Sequence, residues 1–221
     1  MKYVLLCGGK YNKWETPRQL SKVNGEVLIE RTIRLLRENN INDIVITTSE
    51  GNTHFDCLNV DVIHRKNKFT VSDDFVIDDG YWVDAFKHFE EPVCYLFGDV
   101  YYSDDAIKTI IETETDDIQF FASSPPFSNQ YIKEWAEPFA FKVVNYLKFA
   151  MCIELTRFYC NANEFKRHPI AWELWQVIKG TELNKIDYTN YVAINDYTCD
   201  VDHKEDIERL ESIYADNDTH L

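Results

Sequence analysis

The sequence predicts an α/β protein, a single domain built on a mixed, mostly parallel sheet flanked by helices. Strand and helix signals alternate through the first hundred residues at the spacing of strand–helix–strand units. Short apolar runs such as Tyr3–Cys7 and Val93–Phe97 lead directly into glycine, as buried strands followed by loops do. No internal repeat or low-complexity linker divides the chain. We therefore expect one continuous domain over residues 1–215 and a frayed tail over 216–221.

The first half of the chain supplies most of the predicted strands, each a short run rich in apolar and β-branched residues. These runs are Tyr3–Cys7, Asp43–Thr48, Val60–Ile63, Val93–Phe97 and Ile118–Ala122. Helical spacing of apolar residues predicts a helix around Leu28–Leu36, with acidic residues early and Arg34 and Arg37 late, as the helix dipole favours. A second helix is predicted over Gly80–Phe89. A third starts after Ser103, a good capping residue, and carries apolar residues from Ala106 to Ile111.

Signals in the second half are looser. Pro125-Pro126 marks a turn, and Phe139–Val144 is predicted as a strand. Ile170–Ile178 has the pattern of an amphipathic helix. Tyr191–Val201 is predicted as a late strand, and Glu205–Tyr214 as a terminal helix because its apolar residues fall on one face.

Composition and charge exclude several classes of partner. The chain has 221 residues with 23 Lys+Arg against 38 Asp+Glu, so its formal net charge is 23 − 38 = −15. A surface this acidic repels nucleic acids and anionic membranes, so we expect neither as a partner. Hydrophobic residues make up 45% of the chain, enough for a sizeable core, which excludes disorder.

Cysteine usage and apolar run length point to a cytoplasmic protein. The six cysteines form no C-x-x-C pair and no zinc-site spacing, so we expect buried free thiols in a reducing compartment. The longest apolar runs, such as Val4–Cys7 and Phe149–Ile153, fall far short of the roughly 18–20 residues that span a bilayer. The N-terminal run ends at Gly8-Gly9, so we expect neither a membrane span nor a signal peptide.

The first candidate site segment is Leu6–Leu20, which follows the first strand. Glycines after a strand let backbone N–H groups approach phosphate oxygens, and Lys13 and Arg18 add two cations five residues apart. Taken alone, Gly8-Gly9 is more typical of an ordinary turn.

Carboxylates follow two later strands. Asp99 comes directly after Val93–Phe97 and Gly98, and Asp200 and Asp202 come at the end of the late strand. Ligands of doubly wound sheets bind at the carboxyl ends of strands, and paired carboxylates suit Mg²⁺. The alternatives are a turn at Asp99 and a helix cap in which Asp202 pairs with Glu205.

The joint order of these segments resembles the nucleotidyltransferase family with the GT-A-type, Rossmann-like α/β fold, which includes the sugar-phosphate nucleotidylyltransferases. The family pattern reads approximately L-A-G-G-x-G-x-R, then P-K-x-L, G-x-P-L-I, G-D-x and D-x-D-T-P-E-D-L. The corresponding segments here are Leu6–Lys13, Pro17–Leu20, Gly25–Ile29, Gly98–Val100, and Asp200–Asp202 with Glu205–Ile207. The resemblance spans residues 3 to about 210 and implies a nucleotide-binding half over 1–122, an acceptor half over 123–200 and a terminal helix over 201–215.

The resemblance implies a reaction. A phosphate oxygen of an acceptor attacks the α-phosphorus of a nucleoside triphosphate, and pyrophosphate leaves. Carried over by position, Cys7, Gly8, Gly9 and Gly80 contact the nucleotide, and Lys13 steadies its β- and γ-phosphates. Lys13 stands where the family usually has arginine, which exchanges a planar fork for a point charge.

The resemblance also implies which residues contact the reacting phosphates, the metal and the acceptor. Arg18, which replaces the family's lysine, contacts the α-phosphate and the acceptor phosphate. Asp99 and Asp202 bind Mg²⁺, with Asp200 as a weaker second candidate. Glu137 falls where relatives place an acidic residue against acceptor hydroxyls, although a solvated glutamate before a strand is an equal alternative.

The resemblance leaves both the base of the nucleotide and the acceptor unspecified. Tyr11 replaces a loop glycine, which gives the backbone less freedom to wrap the triphosphate. Residues 67–83 have no clear match to the family's base-recognition motifs. CTP is favoured as the nucleotide on resemblance alone. The acceptor is a phosphorylated small molecule, such as a sugar phosphate in sugar nucleotide biosynthesis. Five tryptophans (Trp14, Trp82, Trp135, Trp172 and Trp175) and 13 tyrosines suggest an aromatic cage for choline, as in a phosphocholine-type cytidylyltransferase. Trp172 and Trp175 lie three residues apart on a predicted helix, a spacing that is more typical of core packing. The pattern is also compatible with a GT-A-type glycosyltransferase and with a catalytically dead nucleotide-binding protein, and a homodimer is one option for the oligomeric state.

Overall fold

The computed structural model describes residues 1–8, 14–66, 81–123, 136–167 and 169–218. The strands are β1 (Lys2–Leu6), β2 (Lys22–Val23), β3 (Glu26–Val27), β4 (Ile44–Ser49), β5 (Asp61–Arg65), β6 (Val93–Phe97), β7 (Val100–Tyr101), β8 (Ile118–Ala122), β9 (Pro138–Val143), β10 (Val192–Ala193) and β11 (Cys199–Asp200). The α-helices are α1 (Leu28–Glu38), α2 (Asp104–Glu112), α3 (Tyr146–Asn161), α4 (Ala171–Lys179) and α5 (Lys204–Asp218).

The main sheet of the described residues has seven strands in the order β10-β8-β9-β6-β1-β4-β5. β5, β4, β1 and β6 run parallel, so their carboxyl ends lie at one edge of the sheet. β9 is antiparallel to both of its neighbours, β6 and β8. The mixed, mostly parallel sheet of a single α/β domain is therefore confirmed.

Alternate side chains of the strands face two separate cores. On one face of β1, Leu5 packs in a cluster with Ile33 of α1 and Ile107 of α2. On the other face, Val4 packs with Phe149 of α3 and Trp172 of α4. Parallel strands covered on both faces are built mainly from apolar and β-branched residues, which is why β1 and β6 are largely apolar runs and β4 joins Ile44–Ile46 to two buried threonines.

Buried polar groups fasten the helices to this sheet. The Ser103 hydroxyl accepts the Ala106 N–H at 2.9 Å, which confirms the predicted cap of α2. At the other end of α2, Lys142 of β9 donates its Nζ to the carbonyls of Ile110, Ile111 and Thr113 at 3.0, 2.8 and 2.6 Å. Burial lowers the pKa of this ammonium. Three carbonyls that a helix end would otherwise leave unpaired are thereby satisfied.

Two predicted elements differ from the structure. The helix expected over Gly80–Phe89 is a short 3₁₀ helix, Tyr81–Ala85, and Gly80 itself lies outside the described residues. The chain leaves the helix there because Phe86 inserts into an aromatic cluster, edge-on to Tyr95 at 5.2 Å between ring centroids. The strand expected over Tyr191–Val201 is instead two short strands, β10 and β11. Between them the Asp196 carboxylate accepts the Thr198 N–H at 2.7 Å, a local turn that ends the strand.

The structure has one helix that was not predicted, α3, and one that is longer than predicted, α5. No element was expected over α3, because apolar residues surround it: Phe149 is buried, while Met151 and Phe158 are 66% and 65% exposed. Without one apolar stripe the helical period is lost. α5 continues to Asp218, into the segment expected to be a tail, since residues 214–218 contain neither glycine nor proline to stop it.

The cysteines are free thiols, as expected. Cys7, Cys94, Cys152, Cys160 and Cys199 are buried, and only Cys57 among the six is exposed. The buried thiols act as small apolar side chains, and burial raises the pKa of Cys94 to about 12.

Candidate active site

A two-stranded antiparallel ribbon brings the candidate carboxylates together. β7 pairs with β11, with Val100 opposite Asp200. The Val201 N–H donates to the Asp99 carbonyl at 2.8 Å, which extends the pairing by one step. Asp99 and Asp202 thus lie next to each other at the carboxyl end of β6, although they come from distant parts of the chain.

Gly98 sets the position of Asp99. The Gly98 N–H donates to the Leu6 carbonyl at 3.0 Å, so the chain leaves β6 against the end of β1. A Cβ at residue 98 would lie 2.6 Å from Cys7 Sγ and 2.8 Å from Leu6 O. The glycine of the Gly98-Asp99 pair is therefore required by this close approach.

The Arg18 guanidinium lies between the two aspartates. Its Nη1 donates to Asp202 Oδ1 at 2.5 Å and its Nη2 donates to Asp99 Oδ2. The side chains of Arg18 and Asp99 are 31% and 15% exposed, so this is a partly desolvated network. Burial lowers the pKa of Arg18, but the carboxylates of Asp99 and Asp202 outweigh it and raise that pKa overall. The guanidinium therefore stays charged.

Local structure holds Arg18 in place. Arg18 begins a 3₁₀ turn that ends at Leu20, with the Leu20 N–H donating to the Pro17 carbonyl at 2.8 Å. Proline suits the position before the turn because its φ is fixed. Upstream, Trp14 Nε1 donates to the Asp202 carbonyl at 3.3 Å. The segment before Arg18 is thus attached to the segment that carries Asp202.

Asp202 does not cap the terminal helix with Glu205, which was the alternative to a ligand role. The Asp206 carboxylate accepts the N–H groups of Asp202 and His203 at 3.0 and 2.9 Å and so caps α5 from within its first turn. The Asp202 carboxylate is directed to Arg18 instead.

Glu137 is buried, at 2% exposure, so the alternative of a solvated glutamate is wrong. Its Oε2 accepts the Asp200 N–H at 3.0 Å, and its backbone pairs with Ser123. Glu137 therefore holds β11 against the start of β9 and borders the same cavity as Asp200.

These residues line a cavity of about 610 Å³. Gly8, Arg18, Asp99 and Asp202 line one part of it. A cavity of this volume is in the range of small-molecule sites. Glu137, Arg167 and Ile170 line another part, from the segment expected to bind an acceptor.

The predicted nucleotide residues are placed only in part. Gly9, Lys13 and Gly80 lie outside the described residues. Gly8 lines the cavity, whereas Cys7 is fully buried behind it. The Cys7 N–H donates to Thr47 O at 2.8 Å and its carbonyl accepts from the Thr48 hydroxyl at 2.9 Å, and burial raises the pKa of its thiol. These hydrogen bonds attach the Cys7 backbone to β4, directly before Gly8.

Sequence reasoning missed two cations that line the cavity, Arg65 and Arg167, whereas Trp82, one of the tryptophans named for an aromatic cage, lines it as well. Arg65 ends β5, and its guanidinium lies over Gly8, where an added Cβ would stand 3.3 Å from Arg65 Cζ. Its place at the end of a parallel strand is the signal that would have found it. Arg167 has no such signal, because only the tertiary fold brings it here.

The donor set near Arg18 is limited. No group of three or more His, Cys, Asp or Glu side chains converges on a metal position in the described ranges. Among the described residues, Asp99 and Asp202 thus bring two carboxylates to this point.

Two of the tryptophans considered for a choline cage, Trp172 and Trp175, belong to the core. Trp172 and Trp175 are 0% and 5% exposed. Trp172 packs edge-on against Phe120 at 4.9 Å between ring centroids. Simple core packing is therefore the correct interpretation of this pair. In the part of the chain that is described, no helix has the length and apolar character needed to cross a membrane.

Sequence comparison identifies no relative: no protein-family model and no curated protein matches the chain. Solved structures do. A candidate glucose-1-phosphate thymidylyltransferase from Bacillus anthracis, crystallised with a sucrose, has a TM-score of 0.58 at 14% identity, covering 97% of this chain and 95% of its own. The CTP:phosphocholine cytidylyltransferase from Streptococcus pneumoniae has a TM-score of 0.54 at 16% identity, covering 96% and 98%.

A third structure, the inositol-1-phosphate CTP transferase from T. maritima, has a TM-score of 0.54 at 13% identity, covering 96% of this chain and 95% of its own. All three superpose over nearly their whole length. The identities are too low to carry more than architecture. The chain thus has the α/β fold of the sugar-phosphate nucleotidylyltransferases and cytidylyltransferases, the fold that the sequence resemblance implied.

Proposed function

We propose that this protein is a nucleotidyltransferase that moves a nucleoside monophosphate from a nucleoside triphosphate to a phosphorylated small molecule and releases pyrophosphate. The observation that carries the proposal is the Arg18 guanidinium held between Asp99 and Asp202 in a cavity bordered by Gly8. A cation and paired carboxylates at the carboxyl ends of parallel strands are what joining two phosphates requires.

Arg18 has two duties in this proposal. It holds the α-phosphate and the acceptor phosphate close together, which without a cation is opposed by the repulsion of two anions. The acceptor oxygen then forms a bond to the α-phosphorus, and the bond to the bridging oxygen of the leaving pyrophosphate breaks. The acceptor phosphate is already ionised, so the step needs positioning and charge stabilisation more than proton transfer.

We propose Mg²⁺ as the metal and Asp99 and Asp202 as its ligands. The donor chemistry fits, because both side chains offer carboxylate oxygens and already share one positive charge, that of Arg18. Two protein ligands suit Mg²⁺, which keeps water and phosphate oxygens in its shell. When bound, the metal neutralises charge on the reacting phosphates. Arg18 would then be released from the carboxylates toward the phosphates.

The nucleotide residues in this proposal are Gly8 and Gly9, which cradle the phosphates, Lys13, which steadies the β- and γ-phosphates, and Gly80 at the nucleoside. CTP is the proposed donor, since two of the three structures named above are described as CTP-using enzymes. Glu137 serves the acceptor side, where its burial and its bond to Asp200 place it in the cavity wall.

The test is a matrix of the four NTPs with Mg²⁺ against a panel of sugar, polyol and amino-alcohol phosphates, read by pyrophosphate release. We expect one pair to turn over, and Asp99→Asn to reduce its kcat by at least 100-fold. The matched control is Asp105→Asn, which removes the same charge from a side chain that is 90% exposed on α2.

Two results would contradict the proposal. Release of a nucleoside diphosphate without pyrophosphate would indicate a glycosyltransferase. Absence of Mg²⁺-dependent stabilisation by any NTP in a thermal shift assay would indicate a protein without a working nucleotide site.

A further inference from the structure

Arg167 carries unused hydrogen-bond donors in the cavity wall. It precedes α4, and its side chain is 37% exposed. Its Nε donates to Glu173 Oε1 at 2.7 Å. Nη1 and Nη2 have no protein partner among the described residues, which leaves the end of the guanidinium open. Because Arg167 lines the same cavity as Arg18 and Glu137, this open end borders the candidate active site.

Glu173 fixes the direction of Arg167. The Glu173 carboxylate is 2% exposed and uses both oxygens: Oε1 accepts from Arg167, and Oε2 accepts the Ile170 N–H at 2.8 Å. A buried carboxylate anchored to the first turn of a helix cannot follow a moving arginine. Its bond to Nε therefore orients the guanidinium and leaves Nη1 and Nη2 as a preformed pair of donors.

The charge in the rest of the cavity makes such a cation necessary. Arg18 is shared between two carboxylates, and Glu137 and Asp200 add two more acids to the lining. An anionic acceptor entering past Glu137 and Asp200 meets repulsion unless a second cation faces it. Arg65 lies over Gly8 on one side of the cavity, and Arg167 is the cation on the side of Glu137 and Ile170.

We propose that Arg167, oriented by Glu173, is the phosphate-binding residue of the acceptor subsite. The inference rests on the proposed function and deepens it, since it divides the two anions between two arginines. Arg18 serves the α-phosphate together with the reacting oxygen, and the Nη1 and Nη2 groups of Arg167 bind two further oxygens of the acceptor phosphate. Arg167 forms no bond to the reacting atoms and changes no proton count in the step.

The kinetic test compares Arg167→Gln with the wild type in the nucleotidyltransferase assay. We expect the KM for the acceptor to rise about 10- to 100-fold, the loss typical of a charge-assisted bidentate contact, while the KM for the NTP changes less than about twofold. Arg167→Lys should fall between the two, because it keeps the charge and loses the fork. The matched control is Lys166→Gln, the adjacent exposed cation, which does not line the cavity and should leave both constants unchanged.

A binding test separates this inference from the proposed function. Inorganic phosphate should raise the Tm of the wild-type protein and of Lys166→Gln, and should not raise that of Arg167→Gln. If no NTP and acceptor pair turns over, the proposed function fails while this measurement still judges the anion subsite. An unchanged acceptor KM or phosphate response in folded Arg167→Gln overturns the inference, as does a rise confined to the KM for the NTP.

Discussion

Replacing Gly98 by alanine tests whether the close approach of β6 to β1 positions the site. The new Cβ would lie 2.6 Å from Cys7 Sγ, 2.8 Å from Leu6 O and 3.3 Å from Leu6 C. Carbon makes favourable contacts at about 3.5–4.0 Å, so the two chain segments must separate by roughly 1 Å. Leu6 and Cys7 are 5% and 0% exposed in β1 and just after it, so neither can move away freely.

The expected cost follows from these contacts. Overpacking a core costs about 1–3 kcal/mol, and weakening the 3.0 Å bond from the Gly98 N–H to Leu6 adds about 1 kcal/mol. The sum, about 2–4 kcal/mol, corresponds to a fall in Tm of roughly 5–15 °C for a chain of this length. Because Asp99 is the next residue, we also expect kcat for pyrophosphate release to fall about 100-fold, the usual cost of a 1 Å misplacement.

The control variants isolate the steric cause. At Gly51, where φ is 83° and an added Cβ meets nothing within 4 Å, alanine should cost about 1 kcal/mol of stability from backbone strain and leave kcat unchanged. Cys7→Ala combined with Gly98→Ala removes the sulfur and should recover part of the lost stability, with the contact to Leu6 O remaining. A Gly98→Ala protein with the wild-type Tm and kcat would refute the reasoning.

Three further predictions concern buried groups away from the cavity. Asp84→Ala should destabilise the protein by about 1–3 kcal/mol in urea unfolding, because the 7%-exposed side chain of Arg157 loses the carboxylate 2.7 Å away and keeps the more exposed Glu154 at 3.7 Å; a loss below 1 kcal/mol would contradict this. Lys142→Met should cost about 1–3 kcal/mol by the same measurement, since the carbonyls at the end of α2 lose their donor; a more stable variant would count against the capping role. Burial raises the pKa of Tyr3 and Tyr95 above the ordinary 10.0, so the stability they confer is complete below pH 10 and is lost as the pH rises above it. Tm should therefore fall steeply above pH 10, and the share of the phenolate absorbance that belongs to the buried tyrosines should appear only with unfolding; ionisation of Tyr3 and Tyr95 near pH 10 in the folded protein would argue otherwise.

The parallel strands could be predicted because a strand buried on both faces is a short run of apolar and β-branched residues. β1 and β6 are short, largely apolar runs that lead into glycine, and β4 adds β-branched threonines to an apolar start, as covered strands do. α3 lacks a periodic pattern of apolar residues, because Met151 and Phe158 place apolar side chains on its exposed side. Periodicity fails wherever a helix is apolar all round.

The candidate site divides in the same way. Arg18, Asp99 and Asp202 were singled out because they follow strands or lie in ordered motifs, and the structure brings the three into one network. Arg167 carries no local signal. Its relevance arises from Glu173, which orients it, and from the tertiary position of α4 beside the cavity. Long-range placement of this kind is outside the reach of a single sequence.

The Arg18 network also has a consequence for folding. Arg18 is 81 residues from Asp99 and 184 residues from Asp202 along the chain. Closing loops of this length has an entropic cost that only long-range packing can offset. On the ribosome, β11 and Asp202 emerge after every strand of the main sheet, so a nascent chain cannot complete the network early. The proposed capacity to hold two phosphates together therefore requires that the end of the chain has returned to its beginning.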